Sequence, residues 1–215
     1  MTLLEVDQLS FAWPAGGAVF QDVTFGVGPS ECLQLTGDSG SGKSTLLGLV
    51  AGSHRPARGA VTLDGHPANS PDARALRWYM TSAPAIYPLL TVREQLHFYA
   101  AAHHVGQTAS LALLHHVLQA HVEDLLCRDL TSEQAQIVWF TAALSCHGAG
   151  LLVLDEPFAA VGVQPARRMV AALQQHLDGG GTVLLSSRTH GDLLHPSENW
   201  RTLAPPWNES PSLTP

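Results

Sequence analysis

Gly37-Asp38-Ser39-Gly40-Ser41-Gly42-Lys43-Ser44-Thr45 fits the pattern G-x-x-x-x-G-K-[ST], the signature of a loop that cradles phosphate. Lys43 is the only lysine among 215 residues; the other ten basic residues are arginines. Arginine replaces lysine readily on a solvated surface. It does not do so here, because a compact ammonium on a flexible stem must reach between phosphate oxygens, where a planar guanidinium does not fit. A chain that keeps its single lysine in this loop is built around phosphate binding.

The flanks give the loop the context it requires. Glu31 to Thr36 is a short apolar strand that runs into it, and Ser44 to Ala51 has the length and apolarity of a helix. Between strand and helix, the loop amides and the helix N-terminus converge on one anion. Upstream, Leu4 to Leu9 alternates apolar and polar residues as a half-buried strand, Pro14 to Gly17 is a turn, and Val19 to Val27 returns as a second strand. Gly59 to Gly65 is another strand, closed by an Asp-Gly turn. From about Val92 to His147 the composition shifts to Ala, Leu, His and Gln, with helical spacing at Leu111, Leu114 and Leu118. Strands resume at Leu151 to Leu154 and at Thr182 to Leu185, with a helix from about Gln164 to Leu177 between them. The proline-rich last twenty residues read as an irregular tail, in which Trp200 and Trp207 either dock back or meet a partner.

Leu151-Leu152-Val153-Leu154-Asp155-Glu156-Pro157 is the second decisive stretch. Four apolar residues in a row suit the centre of a parallel sheet, buried on both faces. The two acids then emerge at its C-terminal edge, where open α/β sheets place their ligands. In a P-loop NTPase the first acid holds Mg²⁺ opposite the loop Ser/Thr, and the second orients or deprotonates a water.

Composition narrows the field. A net charge of −7 argues against nucleic acid as a partner. The first residues carry acids rather than a basic leader, and no apolar run approaches the length of a membrane span. Cys32, Cys127 and Cys146 are scattered, form no metal or redox motif, and suit buried sites in a reducing compartment. Twelve histidines invite a metal hypothesis, but His103-His104, His115-His116 and His121 lack the spacing that places two ligands on one helix face. They read as a solvated helix surface. Trp139 and Phe140 read as packing residues, with a coupling surface as the second option.

Taken in order, these stretches resemble the ATP-binding-cassette (ABC) ATPases over nearly the whole chain. Ser10-Phe11-Ala12-Trp13-Pro14 looks like the start of that family, where an aromatic, here Trp13, stacks on adenine. Tyr87 to Leu96 resembles the segment after the family's Q-loop, and Leu96 to Ala100 is similar to drug-, lipid- and haem-exporter ATPases. The resemblance implies an α/β fold. It is a P-loop NTPase core of the ABC type with an N-terminal antiparallel β subdomain and an inserted helical subdomain. Residues 1–82 and 148–195 make the β subdomain and core, 83–147 the helical part, and 196–215 the tail. It implies ATP held by Trp13, Gly37, Asp38, Ser39, Gly40, Ser41, Gly42, Lys43, Ser44 and Thr45. Mg²⁺ would sit on Ser44 and Asp155, with Glu156 and His190 as catalytic residues. The implied partners are an integral-membrane permease and a second ATP-binding subunit, identical or different, on the cytoplasmic face of the membrane.

The departures from the family pattern are as informative. Ser82 stands where the Q-loop glutamine belongs. The signature Leu-Ser-Gly-Gly-Gln is Leu130-Thr131-Ser132-Glu133-Gln134 here, so Glu133 is expected to turn a carboxylate toward the partner's γ-phosphate. Like charges ~4 Å apart cost ~1 kcal/mol even in water. The D-loop reads Ala159-Ala160-Val161-Gly162, without its carboxylate. Arg188 stands where the switch histidine is expected, with His190 two residues on. Two readings follow: a transporter ATPase subunit whose hydrolysis is weakened or partner-dependent, or a non-hydrolysing regulatory half of a heterodimer. Soluble ABC proteins of DNA repair or translation fit less well, being longer or tandem.

Overall fold

The computed structural model describes residues 2–14, 16–103, 107–145, 150–188 and 197–207. A four-stranded antiparallel sheet comes first, in the order β2-β1-β4-β5. Its strands are β1 (Leu4–Ala12), β2 (Ala18–Val27), β4 (Arg58–Leu63) and β5 (His66–Pro67). Alternation in β1 sends Leu4, Val6 and Leu9 inward and leaves Glu5 and Asp7 in water, as a half-buried strand requires.

The second sheet is parallel, with the order β6-β7-β8-β3-β9. It comprises β3 (Cys32–Leu35), β6 (Arg77–Met80), β7 (Leu151–Asp155), β8 (Thr182–Ser186) and β9 (Trp200–Leu203). Every residue of β3, β7 and β8 is buried. The pleat divides them between two cores. Leu151, Val153 and Leu184 pack with the antiparallel sheet and α1 (Lys43–Val50); Leu152, Leu154, Val183 and Leu185 pack with the helices. This is why β7 reads as an unbroken apolar run.

Short α2 (Pro71–Ala75) leads into β6. The helical portion then carries α3 (Val92–Ala102), α4 (Gln107–Leu118), a single helical turn at Cys127–Asp129 and α5 (Ser132–Ser145). Thr91 and Glu94 close a reciprocal capping box at the start of α3. Trp139 and Phe140 are buried, so they are packing residues. The Trp139 indole N–H donates to the Thr81 carbonyl at 3.2 Å and ties α5 to the end of β6. Helix α6 (Val163–Asp178) returns the chain to β8, with Met169, Val170, Leu173 and Leu177 on its buried face.

Residues 200–207 depart from the expected irregular tail. β9 pairs in parallel with β3, Cys32 opposite Trp200 and Leu35 opposite Leu203. Trp200 and Trp207 are both buried, and the Trp207 indole N–H donates to the Thr36 carbonyl at 3.2 Å, directly before the glycine loop. Proline content predicted irregularity. The apolar gain of seating two indoles outweighs it, since fully burying one large side chain contributes about 1.5–3 kcal/mol.

Candidate nucleotide-binding site

Three strand ends converge. Asp155 ends β7 opposite Ser186 at the end of β8, and Ser186 lies opposite Leu35, the last residue of β3. The glycine loop leaves β3 at this edge and enters α1 at Lys43. Gly42 takes φ 101°, and a Cβ there would come within 2.6 Å of Val19 Cγ1, so only glycine fits. It is also the N-cap of α1 and offers no side chain to the helix amides, which leaves them for a ligand. Lys43 is buried, its ammonium donating to the carbonyls of Gly37 at 2.7 Å and Asp38 at 3.0 Å. The loop thus bends back over its own lysine.

The acids are held as tightly. Asp155 Oδ1 accepts from Ser186 Oγ at 2.7 Å and from Ser44 Oγ at 3.1 Å. Burial first, and then the Asp155 charge, push the nearby Tyr79 phenol up to about 12, so it stays neutral. Glu156 sits at φ 49°, the left-handed region that costs a non-glycine residue about 1 kcal/mol or more. Two neighbours hold it there. Its N–H donates to Ser186 Oγ at 3.0 Å, and the buried Gln136 amide donates to its carbonyl at 3.1 Å and to that of Pro157 at 3.2 Å.

A cleft of about 530 Å³ joins these parts, lined among others by Trp13, Ser39, Lys43, Ser82, Glu156 and Arg188. Trp13 is half exposed at its rim, braced edge-on by Phe11 at 4.9 Å and His54 at 5.2 Å between ring centroids. The structure therefore brings Trp13, the glycine loop and Glu156 to one cleft, with Asp155 buried behind its wall and bonded to Ser44. His190 lies outside the described residues.

Two departures from the family pattern find partners within the chain. Arg188 holds Glu156 by both oxygens: its Nε donates to Oε1 at 2.9 Å and its backbone N–H to Oε2 at 3.0 Å. Glu133 is not free to face a phosphate as expected. Its Oε2 accepts the Gly162 N–H at 2.6 Å, so the altered signature and the altered D-loop are joined. Gly162 is the N-cap of α6 and has no capping side chain, so a carboxylate from α5 supplies the negative group that the positive end of α6 favours. A Cβ at position 162 would lie 3.1 Å from that oxygen, so glycine suits the close approach. Thr131 caps α5, accepting the Gln134 N–H at 3.2 Å while its own N–H donates to Gln134 Oε1 at 2.9 Å.

Sequence reasoning missed Ser186, Gln136 and the pairing of Arg188 with Glu156. A signal existed for Ser186, since a serine ending an apolar strand beside the acidic strand is placed to meet its carboxylate. Gln136 follows the signature on a helix, but which carbonyls it reaches depends on how α5 packs.

A family model described as "ABC transporter" matches residues 20–159. The cytochrome c biogenesis ATP-binding export protein CcmA of Pseudomonas putida is 34% identical over 190 residues, 86% of this chain and 88% of that one. The protein of the same name from Escherichia coli K12 is 36% identical over 173 residues, 79% and 81% of the two chains. Among solved structures, an ATP-binding subunit of an ABC transporter superposes with a TM-score of 0.77 at 28% identity, covering 87% of this chain and 80% of that one. A dimeric ATP-binding cassette bound to ADP and Pi gives 0.81 over 94% and 93% of the chains; at 19% identity it shows the fold alone. The match supports the transporter subunit rather than the regulatory half. With its ordered phosphate loop, acidic strand end and helical insertion, the chain belongs to the ABC transporter family, as an ATP-binding subunit of the kind that powers a separate permease.

Proposed function

We propose that this chain binds ATP with Mg²⁺ in the cleft between Trp13 and Arg188 and hydrolyses it with Glu156. It would do so as the ATP-binding half of an export system in cytochrome c biogenesis, as the names of its CcmA relatives suggest. The observation that carries the reading is the 3.1 Å pairing of Ser44 Oγ with Asp155 Oδ1 behind the loop that holds the only lysine. Two hard oxygen donors at the mouth of a phosphate cradle suit Mg²⁺, which takes few protein ligands and keeps phosphate and water oxygens.

Ser44 and Asp155 would hold Mg²⁺, which would supply positive charge to offset the charge of the phosphate chain. The loop amides and the α1 N-terminus hold the phosphate chain, and Lys43 swings from the Gly37 and Asp38 carbonyls to the β- and γ-oxygens. Trp13 stacks on the adenine. Glu156 orients the attacking water and draws its proton. In the structure both Glu156 oxygens are engaged by Arg188, so hydrolysis awaits a rearrangement that frees one. A second ATP-binding subunit closing on this face supplies it, which makes turnover partner-dependent.

The membrane partner has a candidate seat. A mainly apolar groove of about 700 Å³ runs along α3, lined by Leu90, Phe98, Ala101 and Ala102 together with Arg93, Glu94 and His97, with Tyr87 and Leu89 exposed close by in sequence. Such a patch suits a short helix projecting from a permease. Among the described residues no helix is long and apolar enough to cross a membrane. As the ATP-binding subunit of an ABC transporter, the chain would work at the cytoplasmic face through the permease.

Fluorescent-ATP titration of wild type and Lys43→Ala tests the binding claim. At least a tenfold loss of affinity is expected, and equal affinity overturns it. ATPase assays with and without the co-expressed permease test the coupling, with stimulation expected only in the complex and lost in Glu156→Gln.

A further inference from the structure

His115 and His121 do not share a helix face by sequence spacing, yet the fold places them together. α4 ends at Leu118, and Gln119, at φ 55°, reverses the chain while its N–H donates to the His115 carbonyl at 2.9 Å. The returning loop lays His121 beside His115, ring centroids 4.9 Å apart, and puts Glu123 between them. His115 Nε2 lies 3.0 Å from Glu123 Oε2, and His121 Nδ1 lies 3.4 Å from Glu123 Oε1. Among the described residues this is the one place where three His, Cys, Asp or Glu ligand atoms lie within 4.8 Å of one another.

The closest contact is an ion pair rather than a well-aligned hydrogen bond: His115 Nε2 and Glu123 Oε2 are both buried atoms 3.0 Å apart. A shared cation would meet both atoms in place of this poorly aligned contact. The spacing suits one. Ligand atoms on a tetrahedral ion with bonds of ~2.0–2.1 Å stand ~3.3 Å apart. His121 is exposed and can turn to complete the set.

We propose that His115, His121 and Glu123 form a binding site for a divalent transition metal of the zinc type. Two imidazoles and one carboxylate are the donor set of such ions, with water in the fourth position; calcium and magnesium prefer oxygen alone. The framework is already fixed. The Arg93 N–H donates to the Glu123 carbonyl at 2.8 Å, the Val92 N–H to the Leu125 carbonyl at 3.0 Å, and Arg93 pairs with Asp124 at 3.1 Å. The metal therefore fastens the C-terminal end of α4 to the start of α3. It lies apart from the cleft lined by Lys43 and Glu156, and the inference does not depend on nucleotide binding.

The test is titration of the nucleotide-free full chain with Zn²⁺ by calorimetry and with Co²⁺ by visible absorption. An Asp155→Asn background removes the carboxylate proposed above to take Mg²⁺. One equivalent is expected to bind, with the intense visible bands of four-coordinate Co²⁺ and a higher melting temperature with Zn²⁺. Glu123→Gln and His121→Ala should each weaken binding at least tenfold and abolish the thermal shift, while His116→Ala retains both. Absence of saturable binding, or binding that survives Glu123→Gln and His121→Ala, overturns the proposal. A cobalt spectrum without the four-coordinate bands overturns it as well.

Discussion

The Glu133 carboxylate accepts the backbone N–H of Gly162 at 2.6 Å. Each residue taken alone is a departure from the family pattern; together they form one contact between α5 and the N-terminus of α6. Arg188, another departure, pairs instead with Glu156, which keeps the family pattern, at 2.9 Å. Altered positions that satisfy each other keep the local fold intact while changing what the surface offers a partner subunit.

If Arg188 restrains Glu156, its removal releases the base. The pair is half exposed on the arginine side, so its restraint is of the order of 1 kcal/mol after solvent screening. Arg188→Ala should raise the basal turnover of the isolated chain about fivefold, with nucleotide affinity little changed. Steady-state phosphate release checks this, and a fall in turnover would instead make Arg188 a participant in hydrolysis.

Removing the Glu133 carboxylate uncaps α6. Glu133→Ala should destabilise the chain by about 1 kcal/mol, a drop of roughly 2–4 °C in melting temperature for a chain of this size. ATP affinity should not change, because the contact lies on α5 and α6 rather than the glycine loop. Calorimetric melting and nucleotide titration on the same variant separate the two effects.

Asp155→Asn keeps the shape of the site and removes one charge. The affinity for ATP in the presence of Mg²⁺ should fall at least tenfold, while the affinity measured in EDTA should stay within a factor of about two. Equal losses in both conditions would place Asp155 in the fold rather than at the cation.

Gln136 secures the strained turn at Glu156 through two buried carbonyls. Gln136→Leu leaves both without that donor and should cost about 2 kcal/mol, roughly 4–8 °C of melting temperature. Turnover should fall further than binding, since the turn positions Glu156, proposed above as the base, and not the phosphate.

The capping box of α3 gives a pH signature. The Thr91 backbone N–H and then its hydroxyl hold the Glu94 carboxyl below its ordinary value. A lowered folded value means that the stabilisation is present above the unfolded value and is lost as the pH falls through the folded one. Wild type should therefore lose more stability than Glu94→Gln on acidification from pH 6 to about 3, as read by urea unfolding. Parallel curves would dismiss the capping role.

The glycine loop, the apolar run before Asp155 and their order were legible because each is local: a turn that admits only glycine, and a strand buried on both faces. Ser44 comes with the loop itself, whereas Trp13 was placed by the family resemblance; the structure sets both in the wall of one cleft. What stayed hidden depends on packing between distant elements. β9 needed β3 as its partner, Gln136 needed the turn after β7, and Glu133 needed the start of α6. Spacing on a helix did not show that His121 meets His115, because it does so through a reversal after α4 and not along one face.

β9 and Trp207 brace the strand and the carbonyl that launch the phosphate loop, and they come more than 150 residues after it in sequence. A growing chain emerges from the ribosome N-terminus first, so residues 37–45 are exposed long before their brace has been made. The loop thus becomes competent late in synthesis, and nascent fragments stopped short of residue 200 should fail to retain ATP on a phosphate-affinity resin.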